Sequence, residues 1–474
     1  MLRVDEDGFR VTVDRLGTVH AYRGPSGAGS CFKSLWPGPA QLDWWALAGF
    51  FSHGFFPADR TYHPDVRILE PASHHELSRG GVWRRQRYWT WRHEPNDRPY
   101  GQVLDEFIER MRELIDEIDV GRLAVPISGG LDSRLTVAAL APERAGRWAF
   151  SYGYGPRSVE TRIARALASR RRLPFTEFEV PTYLFQEIDR VLDSVEGFQD
   201  ITQSRQLGVA DALRRNADTV VAAHWGDVWL DDMGFDKDAA ELSSSALVDH
   251  VLSRIQKRGR AWLLEHLCRP HVAQPEEALR GWVESALSSY GEIEDPDFRV
   301  KAFKTDHWSF RWTLASVRAY EVAATPKLLF YDPRLVDFFL RLPTDYVARR
   351  RLEIGAIKRL APDLARVRWQ AFDASLYTWH LHDSLHLPRR AIKKLWRLAR
   401  REKVLQRNWE VQFGGSQGRR DLRRHLLEPG LRLHDWVSIR DVEALLRDFF
   451  DRPDGANGYT VSMLLTFALR LERP

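Results

Sequence analysis

One segment constrains the fold of this chain more than any other, because it places a glycine-rich turn between an apolar run and a helical pattern. Residues 123–127 are apolar and fit a strand buried in a parallel sheet, and the apolar spacing of residues 135–140 continues on a helix. The turn between them consists of Ser128, Gly129, Gly130, Leu131, Asp132 and Ser133. This order of strand, turn and helix predicts an α/β fold with a ligand site at the turn.

The turn has the composition of an anion site, and a nucleotide phosphate is the expected anion. Two glycines let the backbone approach an anion, and the free N–H groups and dipole of the following helix favour it by about 1 kcal/mol. No lysine follows, unlike the phosphate loop of ordinary nucleoside triphosphatases. Asp132 beside polyphosphate requires a divalent cation, so it is predicted to bind Mg²⁺. The alternative is that the glycines and the aspartate only form the turn between a strand and a helix and bind no ligand.

Length and composition fit a soluble enzyme of two or three domains. The chain has 474 residues, 44% of them hydrophobic, and 18 tryptophans that supply core material. Its apolar stretches are too short to span a membrane, and its first residues are too acidic for a signal peptide, so the cytoplasm is the expected compartment. Its two cysteines, Cys31 and Cys268, indicate neither a disulfide framework nor a cysteine metal site.

The carboxyl-terminal third contains a basic stretch and a histidine cluster. Basic residues far outnumber acidic ones over 388–426, although the net charge of the whole chain is only +5. RNA, an anionic membrane surface and an acidic partner are conceivable ligands. The ragged apolar spacing and the absence of regular aromatic interleaving favour a solvated helix face, and nucleic acid is not expected as a partner. His380, His382, Asp383 and His386 match no known metal-site pattern, and a metal site there is not expected.

The pattern of the chain divides it into a β-rich part and an α/β part. Residues 9–13 alternate with period two, and a Gly-Gly turn between 71–77 and 82–89 predicts a hairpin. Polar residues 91–100 are interpreted as a linker, and helical periodicity follows from 103 to 118.

Beyond residue 122, strands and helices alternate. The predicted strands are 123–127, 148–152, 176–180 and 219–223, and the predicted helices between them include 158–169 and 203–215. The alternation predicts a parallel sheet with ligands at the carboxyl ends of its strands, where the turn at 128–133 and residues 224–227 both lie. The chain from about residue 240 onward is predicted to be largely helical, including 333–342 and 441–450.

Several motifs together make the chain resemble the asparagine synthetase superfamily over most of its length. Residues 128–133 match the S-G-G-x-D-S pyrophosphate loop of ATP pyrophosphatases, which cleave ATP between the α- and β-phosphates. Residues 223–227 are similar to the family's second active-site loop, G-x-G-x-D. Residues 330–343 are similar to its segment P-F-L-D-x-x-L-V-E-F-x-x-x-L-P, and residues 49–81 look like the tail of its glutaminase domain.

The resemblance implies a fold and a domain division. Residues 101–474 are expected to form an α/β domain of the ATP-pyrophosphatase type (adenine nucleotide alpha hydrolase-like), with a parallel sheet and a helical carboxyl-terminal part. Residues 1–95 are expected to form a small β-rich, degenerate glutaminase-like domain.

The resemblance also implies a chemistry. Members of the family adenylate a substrate carboxylate with ATP, release pyrophosphate and let an amine or ammonia attack the acyl-adenylate. The implied cofactors are ATP and Mg²⁺, and the implied magnesium carboxylates are Asp132 and Asp227. A helix N-cap is the alternative role for Asp227.

The chain departs from the family pattern at two kinds of position. Family glutaminases use an amino-terminal cysteine exposed at position 2, where this chain has Leu2, and Cys31 is internal, so no glutamine hydrolysis is expected. The second departure is in an R-x-K-like segment, where Gln370 or its neighbour Trp369 stands in the place of the family's lysine. Arg366, Arg368 and Lys358 are the candidate substitutes. Likewise, Thr325-Pro326-Lys327 replaces an expected Glu-x-Arg.

In the family, one residue helps to deprotonate the attacking amine. No residue of this chain can be matched to it securely. His224 is the nearest candidate, since an imidazole can accept a proton near neutral pH, and a structural hydrogen-bonding role is the equal alternative.

The function predicted from the sequence is an ATP-dependent, AMP-forming amide ligase without glutaminase activity. An intramolecular amide former like the β-lactam synthetases or lasso peptide cyclases is one alternative, and a catalytically degenerate nucleotide-binding partner protein is another. The expected partners are a small-molecule or peptide carboxylate substrate, with an ammonia-supplying protein and a second copy of the chain as further candidates.

Overall fold

The computed structural model describes residues 2–5, 8–25, 27–78, 81–141, 144–155, 158–235, 243–382 and 407–473. Its strands are β1 (Leu2–Asp5), β2 (Gly8–Val13), β3 (Tyr22–Gly24), β4 (Gly27–Gly29), β5 (Arg67–Ile68), β6 (Ser73–Ser78), β7 (Trp83–Arg87), β8 (Leu123–Pro126), β9 (Arg147–Gly153), β10 (Phe175–Glu179), β11 (Thr219–Ala222) and β12 (Thr325–Leu328). The amino-terminal strands form an antiparallel sheet in the order β1-β2-β6-β7 and a smaller one in the order β4-β3-β5. The predicted hairpin is confirmed by the pairing of β6 with β7.

The later strands form a five-stranded parallel sheet in the order β10-β9-β8-β11-β12. The four predicted strands of this sheet are confirmed, each within one residue of its predicted ends. The strand β12 is not among the predicted strands, because it contains Pro326, which argues against a strand. Its edge position resolves the conflict, since an edge strand tolerates a residue without a backbone N–H.

Helices make up most of the rest of the described chain. The α-helices are α1 (Trp44–His53), α2 (Tyr100–Ile118), α3 (Asp132–Ala139), α4 (Val159–Arg170), α5 (Ile188–Val195), α6 (Ala210–Asn216), α7 (Gly226–Trp229), α8 (Ser244–Ile255), α9 (Arg260–Leu263), α10 (Pro275–Ser288), α11 (Pro296–Phe303), α12 (Leu314–Arg318), α13 (Pro333–Phe339), α14 (Thr344–Val347), α15 (Arg351–Leu360), α16 (Pro362–Ala365), α17 (Asn408–Gln412), α18 (Gly415–Leu427), α19 (Ile439–Asp451) and α20 (Gly455–Glu472). Two π-helices, Leu264–Cys268 and Lys304–Thr313, interrupt the series. Short 3₁₀ turns occur at Phe32–Leu35, Ile201–Gln203, Arg205–Val209, Leu329–Tyr331, Ala348–Arg350, Trp379–His382 and Arg432–Asp435.

These helices confirm most of the helical predictions. The segment 103–118 lies in α2, 158–169 corresponds to α4, and 441–450 lies in α19. The segment 203–215 divides into a 3₁₀ turn and α6, and the helix predicted over 333–342 ends earlier, at Phe339. No helix within the described ranges is both long enough and apolar enough to cross a lipid bilayer.

The order of the parallel strands determines where a ligand can bind. The chain starts at the central β8, moves outward through β9 to β10, and then returns to the other side of β8 for β11 and β12. The connections therefore leave β8 and β11 towards opposite sides, which opens a crevice between the carboxyl ends of these two neighbouring strands. The turn at 128–133 follows β8, and residues 223–227 follow β11.

The amino-terminal part and the α/β part share one hydrophobic core. The ring centroids of Phe32 and Phe198 lie 5.0 Å apart, and the Tyr62 hydroxyl donates to the carbonyl of Gly197 at 2.5 Å. Residues 91–99 lack regular secondary structure, as expected for a linker. They are nevertheless packed against the fold, since Trp91 is buried and the Glu94 N–H donates to the Leu340 carbonyl. The division into domains at 1–95 and 101–474 stays a prediction.

The basic stretch is described only from residue 407 onward, and 388–406 lie outside the described residues. Its described part includes α18, where the guanidinium groups of Arg419 and Arg423 lie 5.0 and 5.7 Å from the ring centroid of Phe450 on α19. These arginines cover an aromatic side chain of their own fold, and the interpretation of the whole stretch as a solvated helix face stays a prediction.

Glu196 joins the amino-terminal part to the α/β part through buried polar contacts. Its carboxylate accepts hydrogen bonds from the Tyr22 hydroxyl at 3.0 Å, the Phe32 N–H at 2.5 Å and the Arg318 guanidinium at 2.7 Å. Burial alone would raise the pKa of Glu196, but Arg318 and the hydrogen bonds lower it below its ordinary value. Because the folded pKa is lowered, this carboxylate contributes stability above its unfolded pKa and loses it as the pH falls through the folded one.

We expect the substitution Glu196→Ala to lower the free energy of unfolding by about 3–5 kcal/mol, because it leaves Arg318 and the Tyr22 hydroxyl without their acceptor in a buried place. Urea denaturation at neutral pH measures this loss. The matched control is Glu443→Ala, which breaks an exposed pair with Arg447 and should cost less than about 1 kcal/mol. Similar losses in the two variants would contradict the role of Glu196.

Candidate functional site

The loop between β8 and α3 is closed by its own serines. The Ser128 N–H donates to the Ser133 hydroxyl at 3.0 Å, the two hydroxyls lie 3.0 Å apart, and the Gly130 N–H donates to the Ser128 hydroxyl at 3.2 Å. Within the described part of the chain, the N–H groups of Gly129, Leu131 and Asp132 have no hydrogen-bond acceptor. The loop therefore presents free donors at the start of a helix, which is an arrangement suited to an anion.

Gly129 is required by the close approach of a second segment. The Gln370 N–H donates to the Gly129 carbonyl at 3.2 Å. A Cβ atom on Gly129 would lie 2.1 Å from Oε1 and 2.8 Å from Cβ of Gln370, so only glycine fits. The structure thus brings the segment in which the sequence analysis placed the missing lysine directly against the loop.

Asp132 belongs to a partly buried cluster of charged side chains centred on Arg350, in which Glu353 is fully buried. The Arg350 Nη1 lies 2.9 Å from Asp132 Oδ1 and 2.9 Å from Glu353 Oε2, and its Nε lies 3.0 Å from Asp231 Oδ2. Complete burial and, after it, the nearby charge of Asp132 raise the pKa of Glu353 well above its ordinary value, and Arg350 opposes this shift. The cluster fixes the orientation of the carboxylate that the sequence analysis assigned to Mg²⁺.

The backbone around Arg350 is strained. Arg349 and Arg350 have φ values of 54° and 62°, in the left-handed region that side chains other than glycine rarely adopt. Each such residue costs about 1–3 kcal/mol and persists only where its surroundings hold it. Here the Arg349 N–H donates to Asp232 Oδ2 at 3.0 Å, and Arg350 contacts the three carboxyl groups named above.

The segment after β11 approaches the same loop. Trp225 has a φ of 76°, and its indole N–H donates to the Thr305 hydroxyl at 3.1 Å, which anchors the turn. A Cβ on Gly226 would lie 2.9 Å from the carboxyl carbon of Asp132, so the two segments touch at this glycine. Asp227 follows directly, and its charge raises the pKa of Asp132, after the larger effect of burial and against the opposing effect of Arg350.

A cavity of about 400 Å³ lies where these segments meet, at the carboxyl ends of β8, β9 and β11. Its walls include the loop residues Ser128, Asp132 and Ser133, the aromatic residues Phe150 and Tyr152, and the predicted residues His224 and Asp227. The structure thus gathers the loop, both proposed magnesium carboxylates and the proposed base around one space.

His224 is a weaker base than the sequence analysis expected. Burial, and after it the charge of Arg205, lowers the pKa of His224 from 6.5 to about 4, so its imidazole is neutral at pH 7. Its Nδ1 is buried without a hydrogen-bond partner among the described residues. A neutral, unpartnered imidazole is able to accept a proton, but it does so with less driving force than a group that titrates near pH 7.

Lys304 is a residue of this cavity that the sequence analysis did not identify. It begins the π-helix Lys304–Thr313, and its ammonium lies 5.2 Å from the ring centroid of Trp308 and 5.7 Å from that of Trp225. No carboxylate among the described residues lies within 4.0 Å of it, and burial lowers its pKa although Asp227 opposes this. A π-helix is frequent at functional sites, but no local sequence pattern marks one.

Two of the predicted catalytic residues lie elsewhere. Lys358 lies on α15 with its ammonium 5.1 Å from the ring centroid of Tyr377, beside a different cavity. The guanidinium of Arg368 is half exposed and pairs with Asp373. Neither lines the cavity at the loop, so their assignment stays a prediction that the geometry does not support.

The charges of the cavity bear on the expected cation. The cavity contains three carboxylates, those of Asp132, Asp227 and Glu160, and two cations, Arg205 and Lys304. A polyphosphate placed here needs further positive charge, and a divalent cation held by one or two carboxylates and by phosphate oxygens supplies it. Within the described ranges, no group of three or more His, Cys, Asp or Glu side chains is arranged to hold a metal by itself.

Most of the histidine cluster lies outside the part of the chain that the structure describes, so the expectation of no metal site there stays a prediction. Asp383 and His386 lie outside the described residues, as does the side chain of His382. His380 lies beside the cavity that contains Lys358.

No protein-family model matches this chain, and no curated protein matches it.

We expect Gly129→Ala to lower the free energy of unfolding by about 1–3 kcal/mol, because the new methyl group overlaps Gln370. Gly130→Ala is the control, since the nearest atom there is the Ser128 hydroxyl at 3.3 Å, and we expect a change below about 1 kcal/mol. Adding Gln370→Gly to Gly129→Ala should recover part of the loss. Urea denaturation of the four members of this double-mutant cycle measures the coupling, and additive effects would contradict the contact.

Proposed function

We propose that this chain is an ATP-dependent, AMP-forming amide ligase whose α/β part is of the ATP-pyrophosphatase type. One observation carries the proposal. Ser128, Asp132 and Ser133 of the loop, together with Asp227 after β11, line one cavity at the point where the strand order reverses. In open α/β sheets this is where nucleotides bind.

Each part of the cavity has a role in this proposal. The free N–H groups of the loop would hold the pyrophosphate as it departs, and Asp132 and Asp227 would hold Mg²⁺, which when bound neutralises phosphate charge. Lys304 would provide the positive charge that the family's lysine supplies, because it lies in the cavity whereas Lys358 and Arg368 do not. Aromatic walls restrict the access of water to a reactive acyl group.

A second candidate is a nucleotide-binding protein without ligase turnover. Two observations favour it: Asp132 is paired with Arg350, and Gln370 stands against the loop in the place expected for a lysine. A protein with either function would bind a nucleotide, but only the ligase catalyses the exchange of pyrophosphate into ATP.

Substrate-dependent exchange of labelled pyrophosphate into ATP tests the ligase across a panel of carboxylic acids. In Asp132→Asn we expect the exchange to fall by about 10²-fold or more, because the charge facing the phosphates is lost. The fold should persist, since Arg350 keeps Asp231 and Glu353 as partners.

The control is Asp218→Asn, which also removes an aspartate paired with an arginine, Arg122, but at the amino ends of β8 and β11. This variant should exchange at the rate of the unmodified protein. Undiminished exchange in Asp132→Asn would refute the site, and formation of ADP and phosphate would refute the chemistry.

The substitution His224→Gln tests the proposed base. We expect amide formation to slow by about 10²-fold while pyrophosphate exchange is spared, because only the second half-reaction needs a base. Protonation of an imidazole with a pKa of about 4 sets in only as the pH falls towards that value. In the unmodified protein, the rate of amide formation divided by the rate of pyrophosphate exchange should therefore stay constant from about pH 8 to about pH 5. Below that range this ratio should fall. Equal loss of both half-reactions would indicate a positioning role instead.

A further inference from the structure

A second cavity adjoins the proposed nucleotide cavity. It has a volume of about 790 Å³ and shares Arg205 and Trp312 with the first as lining residues. The remaining lining comes from the segments around Asp200 and Lys257 and from the carboxyl-terminal helices α17 and α20. A molecule that occupies both cavities would pass Arg205 and Trp312.

Four cationic side chains, those of Arg205, Lys257, Arg258 and Arg407, line this second cavity, and the first three have no acidic partner in the described part of the chain. No carboxylate among the described residues lies within 4.0 Å of the charged groups of Arg205, Lys257 or Arg258. Lys257 is half-buried, whereas Arg205 and Arg258 are exposed, and its ammonium lies 5.2 Å from the ring centroid of Trp308 and 5.8 Å from that of Trp312. Burial lowers the pKa of Lys257, with Asp200 opposing. An enclosed ammonium without a partner is costly unless a ligand supplies the missing anion.

The two acidic residues of the cavity are committed to the protein itself. Asp200 Oδ1 accepts from the N–H of Thr202 at 2.9 Å and from its hydroxyl at 2.8 Å. Asp454 caps α20 by accepting from the N–H groups of Ala456 and Asn457. Neither carboxylate forms an ion pair with the three cations, so the cavity keeps positive charge for a ligand.

Aromatic side chains form part of the otherwise largely polar lining of this cavity. Trp312, Trp409 and Tyr459 line the cavity, and the Tyr459 hydroxyl is engaged with the carbonyl of Phe51 at 2.9 Å. Such walls suit the apolar middle of a ligand, while the cations suit its charged end.

We propose that this second cavity binds the far end of the acyl substrate, and that this end carries an anionic group, a carboxylate or a phosphate, held by Lys257 and Arg258. The inference rests on the proposed function, because it identifies the ligand of the second cavity with the acid that is activated in the first. The substrate class is therefore a carboxylic acid with a second anionic group separated from the first by an apolar stretch.

Binding without nucleotide tests this inference independently of turnover. Isothermal titration calorimetry would compare glutarate, adipate and suberate with their monomethyl esters, and the matching phosphonocarboxylates with both. We expect at least one diacid to bind tenfold or more tightly than its monoester. A preference for the phosphonate over the carboxylate end supports the inference as well and identifies the anionic group as a phosphate.

The variants assign the anionic group to its binding residues. Lys257→Met should lower the affinity for the best diacid by tenfold or more, to the level of its monoester. Because Lys257 is partly buried, Arg258→Gln serves as a second variant at an exposed position, where we expect a smaller loss of the same preference. The control is Lys33→Met, an exposed lysine 3.5 Å from Asp193 on another surface, which should bind every acid as the unmodified chain does.

The outcomes separate this inference from the proposed function. Equal affinity for diacids and monoesters, or a preference that survives in both Lys257→Met and Arg258→Gln, overturns the inference even if pyrophosphate exchange occurs. A diacid preference that depends on Lys257 in a protein without exchange activity supports the anion site and refutes the ligase. Binding of a fluorescent ATP analogue should be the same in all three variants, which checks that the nucleotide cavity is intact.

Discussion

The parallel sheet is the constraint on which the rest of the structure depends. Every connection between parallel strands has to return from one end of the sheet to the other, so helices must cover both faces. The first strand of this sheet is the central β8, and the chain later returns beside it at β11. The loops that follow these two strands therefore leave the carboxyl ends of the sheet in opposite directions. That geometry places Ser128, Asp132 and Ser133 around one cavity with Asp227, although about a hundred residues separate the loop from Asp227 in the chain.

Two clusters of charged side chains hold distant segments of the chain together. Arg350 joins Asp132, Asp231 and Glu353, and through them the loop after β8, the segment after α7 and the start of α15. Glu196 joins Tyr22 and Phe32 of the amino-terminal part to Arg318. A buried charge is tolerated only with such partners, so each cluster fixes its segments in one arrangement. The strained backbone at Arg349 and Arg350 shows that this arrangement is strongly determined.

Lys304 and Lys257 illustrate the opposite case, since both ammonium groups lie in enclosed places without a carboxylate within 4.0 Å in the described part of the chain. They lie over the same ring, Trp308, each 5.2 Å from its centroid, and they border the two different cavities. An aromatic face compensates only part of the lost hydration of an ammonium group. Each cavity therefore has an ammonium group beside it, and in the second cavity, where cations outnumber carboxylates, this charge gives one physical basis for proposing an anionic ligand.

The sequence by itself determined the local elements and the character of the loop. Four of the five parallel strands and the long helices follow from apolar periodicity, and the loop follows from two glycines and an aspartate between a strand and a helix. The strand containing Pro326, the neutral state of His224, and the placement of Lys304, Arg350 and Glu353 depend on segments distant in the chain. Burial and partner choice are set by packing across the whole chain, whereas periodicity reports only which face of a local element is apolar. The tertiary structure therefore decided which charged groups meet and which remain free for a ligand.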